Sequence, residues 1–210
     1  MASDPTHIVA AGYDRIAARY LAWINETRGD PRLAFLRDLL ARLPERPTVL
    51  DLGCGAGVPC TALLAEHGDV VGVDLSGSQL ELASQNVPSA RFIKAEMTAI
   101  ELPPASFDGV TAFYSISHVP RAEQGPLFQR IATWLRPGGY LLASLGYGAD
   151  EGTVENWLGA PMFFSANDPQ TNRRLLAEAG LTVLVDEAVT MEEPEGPATF
   201  QWLIATKPAH

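Results

Sequence analysis

Cysteine is scarce in this chain of 210 residues, which contains only Cys54 and Cys60. Two cysteines cannot form a framework of disulfides or supply the four ligands of a structural zinc site. A chain of this length can bury about 70% of its unfolded surface, so it needs neither a disulfide nor a metal in order to fold. We therefore expect one domain, spanning residues 1–210, that is stabilised by a hydrophobic core.

Long apolar runs are missing as well. No segment approaches the 18 or so consecutive apolar residues of a membrane helix. The first residues, MASDPTHIVA, lack the basic and apolar regions of a signal peptide. Apolar residues make up 47% of the chain and charged residues 19%, which argues against a disordered or fibrous protein. The sequence predicts a soluble, cytoplasmic protein without a membrane partner.

The chain contains fewer basic than acidic residues. Lysine and arginine number 15 against 25 aspartates and glutamates, so the formal net charge is −10. A surface with this balance repels polyanions, and a nucleic-acid partner is therefore not expected. The nearest candidate for a basic patch, Arg173 and Arg174, is only two residues long. The sequence leaves open whether the chain is a monomer or a homodimer.

Short apolar or β-branched runs alternate along the chain with helical patterns. This alternation is typical of a mainly parallel sheet flanked by helices. The last two strands have no helix between them, so they predict a hairpin and an antiparallel edge of the sheet. The seven predicted strands are 48–52, 69–73, 91–94, 109–114, 140–145, 181–189 and 198–206.

The helical patterns place a cap before the sheet and leave one irregular segment after the fifth strand. Residues 1–45 are predicted to form two cap helices. The other predicted helices are 59–66, 76–86, 121–135 and 169–179. Residues 146–165 show no regular pattern, yet they concentrate large apolar side chains, among them Trp157, Met162 and Phe163. Because loops are normally polar, this segment is expected to be a lid or a pocket wall.

A glycine-rich loop follows the first strand in Val49-Leu50-Asp51-Leu52-Gly53-Cys54-Gly55-Ala56-Gly57. Glycines permit positive φ and let a ligand lie against bare backbone. The free amides of the next helix suit a polar or anionic group. Asp74 ends the second strand, 21 residues beyond Gly53, where an acid in such folds receives the two ribose hydroxyls of a nucleoside.

Dinucleotide binders and S-adenosylmethionine binders share these features. The dinucleotide fingerprint is G-x-G-x-x-G/A, whereas the glycines here follow G-x-G-x-G and Val58 occupies the last fingerprint position. The Asp51 carboxylate would repel a pyrophosphate, whereas it would attract a ligand that ends in an ammonium. Glu96 and Met97 follow the third strand, where an adenine could stack on the thioether. These details favour S-adenosylmethionine over a nicotinamide cofactor, and an NAD-type oxidoreductase is the second hypothesis.

The sequence resembles the class I S-adenosylmethionine-dependent methyltransferases over nearly its whole length. Five segments carry the resemblance in order: Asp51 to Gly57, Asp74, Ala95-Glu96-Met97, Phe107-Asp108-Gly109-Val110 and Leu135-Arg136-Pro137-Gly138-Gly139. In the third segment the family's acid is more often aspartate. The resemblance implies a Rossmann-like sheet of order 3-2-1-4-5-7-6, with strand 7 antiparallel and helices on both faces.

The resemblance also implies which residues contact S-adenosyl-L-methionine. The residues expected to bind this cofactor are Tyr20, Asp51, Gly53, Cys54, Gly55, Asp74, Leu75, Gln79, Glu96, Met97 and Tyr114. The N-terminal helix, which carries Tyr13 and Tyr20, resembles the family's cap over the cofactor. Within that cap, Tyr20 is expected to reach the methionine carboxylate.

The end of the fourth strand lies beside the reactive methyl group in this family, and residues 113–120 read FYSISHVP. The stretch lacks the Asn/Asp/Ser-Pro-Pro-Tyr/Phe motif of amino-methylating DNA enzymes, the cysteine of cytosine-C5 enzymes and the carboxylates of metal-dependent enzymes. We therefore expect metal-free methyl transfer to an oxygen, nitrogen or sulfur atom of a small molecule. The Trp-x-Gly-x-Pro-Met segment that begins at Trp157 resembles a subset of bacterial small-molecule methyltransferases.

His118 is the candidate general base because imidazole titrates near neutrality; whether it removes a proton or only positions the acceptor stays open. The residues expected to contact the acceptor are Tyr13, Ser117, His118, Trp157, Met162 and Phe163. A non-catalytic module that only binds the cofactor is the alternative to an enzyme.

Overall fold

The computed structural model describes residues 4–209, and strands of one large sheet organise them. The strands are β1 (Thr48–Leu52), β2 (Asp69–Asp74), β3 (Arg91–Lys94), β4 (Phe107–Ala112), β5 (Leu135–Gly146), β6 (Glu151–Trp157), β7 (Ala160–Ser165), β8 (Thr182–Glu193) and β9 (Gly196–Thr206). The sheet runs in the order β3-β2-β1-β4-β5-β9-β8, and β6 pairs with β7 separately. Strands β1 to β5 are parallel, while β9 is antiparallel to both of its neighbours. The predicted order 3-2-1-4-5-7-6 is confirmed, because β8 and β9 are the sixth and seventh strands of this sheet.

Three of the six described helices begin at a capping side chain, and the other three follow a proline without a side-chain cap. The helices are α1 (Pro5–Glu26), α2 (Arg32–Leu40), α3 (Cys60–His67), α4 (Gly77–Asn86), α5 (Arg121–Trp134) and α6 (Pro169–Glu178). The Ser76 hydroxyl accepts a hydrogen bond from the Gln79 amide and caps α4, as predicted. Asp168 caps α6 in the same way, and Pro169 occupies the first turn. None of the helices in residues 4–209 has the length and apolar character needed to cross a bilayer.

Buried apolar side chains cover both faces of the sheet. Successive residues of a strand point to opposite faces, so Val49 packs with side chains of α2 and α3 while Leu50 packs with side chains of α5 and α6. In β5, Leu142 lies on the same face as Val49, and Leu141 lies on the same face as Leu50. The predicted sheet with helices on both faces is therefore confirmed.

The segment 146–165, predicted as irregular, is instead mostly the hairpin β6–β7, so that prediction is wrong. The hairpin turns at Leu158 and Gly159, which both have positive φ, as a tight two-residue hairpin turn requires. Strand β6 is exposed from Glu151 to Asn156 and carries little apolar alternation, which is why its sequence gave no strand pattern. Strand β5 also begins at Leu135 rather than at 140, so the predicted turn at 137–139 lies inside its bounds.

The hairpin packs closely against α1 through Gly12. A Cβ atom at Gly12 would lie 2.8 Å from Met162 Cε and 2.9 Å from the Pro161 carbonyl oxygen. The same helix is tied to the sheet by Asp14, which accepts hydrogen bonds from the Ser76 hydroxyl (2.6 Å) and the Ser78 amide (3.1 Å). Helix α1 therefore lies between the hairpin and the carboxyl ends of the strands.

We predict that Gly12→Ala destabilises the protein by about 1–3 kcal/mol, because the new methyl group overlaps a backbone oxygen that cannot rotate away. This cost exceeds the 0.5–1 kcal/mol or so that alanine gains over glycine in a helix interior. Urea unfolding measures the difference. Ala11→Ser, one residue earlier on the exposed face, is the matched control and should change stability by less than about 0.5 kcal/mol. A Gly12→Ala protein as stable as the parent would contradict the close packing.

Candidate active site

The glycine loop lies where the parallel strands β1, β2 and β4 end side by side. Gly53, Gly55 and Gly57 have φ values of +70°, +54° and +77°, a region that only glycine enters freely. A Cβ atom at Gly53 would lie 2.2 Å from Ser115 Cβ, which follows β4. The loop therefore needs glycine both for its conformation and for its approach to the end of β4.

Asp74, at the end of β2, is turned toward this loop. Its Oδ2 accepts a hydrogen bond from the Gly55 amide (2.8 Å), and its Oδ1 accepts one from the Ser76 amide (2.9 Å). Burial raises the pKa of the carboxyl to about 6. The two amides hold the carboxylate in place and leave further lone pairs to accept hydroxyl protons.

A cavity of roughly 730 Å³ opens beside Asp74 and Gly55. Nine of the eleven residues predicted to bind the cofactor line it: Tyr20, Gly53, Gly55, Asp74, Leu75, Gln79, Glu96, Met97 and Tyr114. We call this the first cavity. Its floor is the glycine loop, and α1 covers it, since Thr6 Oγ1 donates a hydrogen bond to Glu96 Oε1 at 3.0 Å.

The other two predicted residues, Asp51 and Cys54, border a smaller neighbouring cavity. Asp51 is buried, and its oxygens accept hydrogen bonds from the hydroxyls of Thr61 (2.6 Å) and Thr111 (2.8 Å). The Asp51 carboxylate therefore braces α3 and β4 beneath the loop, and its contact with a ligand ammonium stays a prediction. Burial raises the pKa of the Cys54 thiol well above its ordinary value, so this sulfur is uncharged.

Gln79 is buried with its amide unpaired. Its side chain, 1% exposed, lines the first cavity, and neither the amide nitrogen nor the amide oxygen has a hydrogen-bond partner among the described residues. A buried polar group without a partner costs about 1–3 kcal/mol. An amide kept in this state beside a cavity is matched to a ligand that offers both a donor and an acceptor.

Tyr114 holds a strained conformation between two cavities. Its φ is +56°, which is rare for a bulky side chain and is found where the surroundings enforce it. The Tyr114 amide donates to the Ser144 hydroxyl (2.7 Å), and its phenol donates to Asp30 (2.8 Å). The guanidinium of Arg32 lies 4.7 Å from the ring centroid.

Arg32 is a buried site residue that the sequence reasoning missed. Its guanidinium pairs with Asp30 at 2.5 Å, and it borders both the second cavity described below and the smaller cavity near Asp51. At the sequence level Arg32 is only the residue after Pro31 at the start of a helix. No local signal distinguishes it from a solvated arginine, because its burial depends on Tyr114, which is distant in sequence.

His118 follows β4 in a short 3₁₀ turn (Ile116–His118) and contacts two partners. Its Nδ1 lies 2.7 Å from the Phe163 carbonyl oxygen, and its Nε2 lies 2.9 Å from the Tyr13 hydroxyl. A carbonyl oxygen only accepts, so Nδ1 carries the proton and Nε2 accepts from Tyr13. Burial lowers the pKa of His118 to about 4. The imidazole is therefore neutral at physiological pH, with its basic nitrogen facing Tyr13.

A second cavity, of roughly 1240 Å³, lies on the other side of His118. Four of the six residues predicted to contact the acceptor line it: Tyr13, Ser117, His118 and Trp157. Four side chains line both large cavities: Tyr13, Tyr20, Tyr114 and His118. We call these four the shared wall. Two ligands bound in the two cavities would meet at this wall.

Met162 and Phe163 do not line either large cavity, in contrast to the prediction. Met162 is fully buried between the hairpin and α1. The ring of Phe163 is buried in the same cluster, and only its carbonyl oxygen reaches the site, through His118. Phe164 lines the second cavity instead. The described residues contain no cluster of three His, Cys, Asp or Glu side chains that could hold a metal ion.

Known proteins resemble this chain in both sequence and fold. Residues 49–139 match the family model described as "Methyltransferase domain". Trans-aconitate 2-methyltransferase of Azoarcus sp. (strain BH72) is 38% identical over 58% of this chain and 49% of its own length. Ubiquinone biosynthesis O-methyltransferase of Paracidovorax citrulli is 34% identical over 67% of this chain and 61% of its own length. The chain thus spans between about half and three fifths of these curated relatives.

A solved structure has the same fold over almost the entire chain. It is 1,6-didemethyltoxoflavin-N1-methyltransferase of Burkholderia thailandensis, crystallised with 1,6-didemethyltoxoflavin and S-adenosylhomocysteine. It superposes with a TM-score of 0.75 at 22% identity, covering 99% of this chain and 92% of its own. The family match and the relatives show that this chain carries a methyltransferase domain over residues 49–139, and the solved structure shows that the same fold extends over almost the entire chain.

Proposed function

We propose that this chain is an S-adenosylmethionine-dependent methyltransferase that binds its cofactor in the first cavity and a small-molecule acceptor in the second. The observation that carries this proposal is the shared wall, where Tyr13, Tyr20, Tyr114 and His118 line both cavities. Transfer between two bound molecules requires their reacting atoms to be held about 3–3.5 Å apart. Two cavities that adjoin at one wall supply that arrangement.

The residues of the first cavity fit a nucleoside. Asp74 is positioned to accept the two ribose hydroxyls, and the unpaired amide of Gln79 can satisfy polar atoms of the ligand. Gly53 and Gly55 let the ligand lie directly on the backbone. The names of the relatives and the S-adenosylhomocysteine in the solved neighbour support the same cofactor.

When bound, S-adenosylmethionine supplies an electrophilic methyl group on a positively charged sulfur. The protein's own residues exclude water, orient the acceptor and receive a proton. The rings of Tyr20 and Tyr114 provide apolar surface at the wall, where the loss of charge during transfer is favoured. No step of this proposal requires a metal ion.

His118 is proposed to receive the acceptor's proton. An acceptor hydroxyl that replaces Tyr13 as the donor to Nε2 would place its oxygen at the shared wall. The Nδ1 bond to Phe163 fixes the tautomer that leaves Nε2 free to accept. As the oxygen–methyl bond forms and the sulfur–methyl bond breaks, the hydroxyl proton would move to Nε2. Because burial opposes the imidazolium, His118 would then release this proton to solvent water. An acceptor that is already anionic needs no base.

The remaining expectations stay predictions. They include a cap at residues 1–45, a lid at 146–165, a cytoplasmic location and a monomeric or homodimeric state. Residues 1–3 and 210 of the predicted single domain lie outside the described residues. The names of the relatives support small-molecule acceptors.

We predict that the affinity for S-adenosylhomocysteine, measured by calorimetry, falls as the pH drops below about 6. The Asp74 carboxyl has a pKa raised to about 6, and only its ionised form accepts both hydroxyls while it also accepts two amides. The decline should approach about tenfold per pH unit. Asp74→Asn should weaken binding at pH 8 by about 10- to 100-fold and remove the pH dependence. Asp69→Asn, at the exposed start of β2, is the control. No heat at millimolar ligand would overturn the proposed function.

Gln79→Met is expected to make the ligand-free protein more stable by about 1 kcal/mol, because it removes an unpaired buried amide, and to weaken S-adenosylhomocysteine binding about tenfold. Gln124→Met is the matched control. Gln124 is equally buried, but its amide nitrogen donates to Val119 and Ser165. Its loss should destabilise the protein by about 1–3 kcal/mol. Similar destabilisation in both variants would mean that the Gln79 amide is already bonded in the free protein.

His118→Gln should lower kcat by about 10²- to 10⁴-fold for acceptors with a high pKa, such as phenols, and far less for carboxylates. In the parent, kcat at saturating concentrations of both substrates should show no inflection near pH 6.5, because the lowered pKa keeps His118 neutral until the pH approaches about 4. His67→Gln, on the exposed end of α3, is the control. An equal loss for both classes of acceptor would show that His118 positions the acceptor. Cofactor binding without turnover on a broad panel would favour the non-catalytic module.

A further inference from the structure

The outer part of the second cavity is built from aromatic rings contributed by two separate elements. Trp23 stacks on Tyr20 with ring centroids 5.9 Å apart, and Trp157 of the hairpin lies 5.7 Å from Tyr20 and 5.8 Å from Trp23. Phe164 lies 5.4 Å from Trp157. We call these four side chains the aromatic wall. Such a wall favours a flat ring, and its faces attract positive charge.

Acidic side chains border the same cavity. Asp150 and Glu151 are exposed at its rim, whereas Glu193 of β8 is partly buried. Exposed charges contribute little to binding because water and salt screen them. Glu193 therefore carries most of the electrostatic preference. Burial, followed by repulsion from Glu195 and Asp30, raises its pKa to about 7. A cation bound beside it would favour the ionised form.

The cation that lines the cavity is already engaged. Among the described residues that line it, Arg32 is the one cation, and its guanidinium is paired with Asp30 at 2.5 Å. Arg121, which lies close by, donates to the Ala149 carbonyl and to Asn167. An anionic ligand inside the cavity would therefore meet carboxylates, while the arginine in the lining is already paired.

Glu193 lines the same cavity as the four side chains of the shared wall. A single small molecule can therefore contact Glu193 at one end and the shared wall at the other. The net charge of −10 further favours the approach of cations.

We propose that the methyl acceptor is an arylalkylamine, whose ring lies on the aromatic wall, whose ammonium faces Glu193 and whose nucleophilic atom lies at the shared wall. This inference rests on the proposed function, which it narrows to a substrate class. The proposal predicts that polycarboxylates bind weakly in the second cavity, because the three carboxylates of trans-aconitate would face an acidic, aromatic lining.

Three probes that share a phenol ring and differ only in charge test the proposal: tyramine (ammonium), 4-ethylphenol (neutral) and 4-hydroxyphenylacetate (carboxylate). Calorimetry at pH 7.5 or so measures their affinities with and without S-adenosylhomocysteine. Tyramine should bind at least about tenfold tighter than the carboxylate probe, and the ratio should shrink as salt is added. Glu193→Gln should bring the ratio near one. Glu187→Gln, an exposed position on the same strand, should leave it unchanged.

Equal affinities for the probes, tighter binding of the carboxylate, or no binding of tyramine up to about 10 mM would overturn the proposal that the acceptor is an arylalkylamine. If the affinity ratio of tyramine to 4-hydroxyphenylacetate is the same in Glu193→Gln as in the parent, the proposed role of the Glu193 carboxylate is overturned. S-adenosylhomocysteine is titrated separately on the same protein. If S-adenosylhomocysteine binds but the three probes show no charge preference, only the proposed substrate class is overturned. If S-adenosylhomocysteine does not bind, the proposed methyltransferase function is overturned as well.

Discussion

The close approach between Gly53 and the residue after β4 is the constraint on which the site depends. With Gly53 Cα next to Ser115, the Ser115 hydroxyl reaches the Leu52 carbonyl at 2.7 Å and ties the first loop to the end of β4. This contact holds two strand ends together at a cavity that both Asp74 and His118 line. Any side chain at Gly53 would separate the glycine loop from the residues at the shared wall.

A strained residue and an unsatisfied polar group lie around the same point. Tyr114 has a positive φ, and Gln79 has a buried, unpaired amide. Such costs persist only where the surroundings enforce them. The hydrogen bonds from Tyr114 to Ser144 and Asp30 show how the protein enforces this conformation, and the bulk of the core supplies the stability that offsets it.

Local sequence signals are sufficient to predict the sheet and most of the predicted cofactor-binding residues that line the first cavity. Glycine spacing, an acid at the end of β2 and β-branched runs each depend on neighbouring residues, so a single sequence displays them. The hairpin was missed because exposed β6 carries no apolar alternation. The sequence predicts that Met162 contacts the acceptor, because a methionine that lines a cavity and one that is buried behind the lining have the same local sequence pattern. Arg32 was missed because its burial depends on Tyr114 and Asp30 together.

The hairpin reaches the imidazole through a main-chain oxygen, that of Phe163, and not through a side chain. Every residue type carries that oxygen, so mutations along the hairpin can reshape the acceptor cavity while the histidine keeps its tautomer. The shape of the second cavity and the orientation of His118 therefore depend on different parts of the hairpin. Related chains can differ at Trp157 or Phe164, which line the cavity, and still keep the hydrogen bond that orients His118.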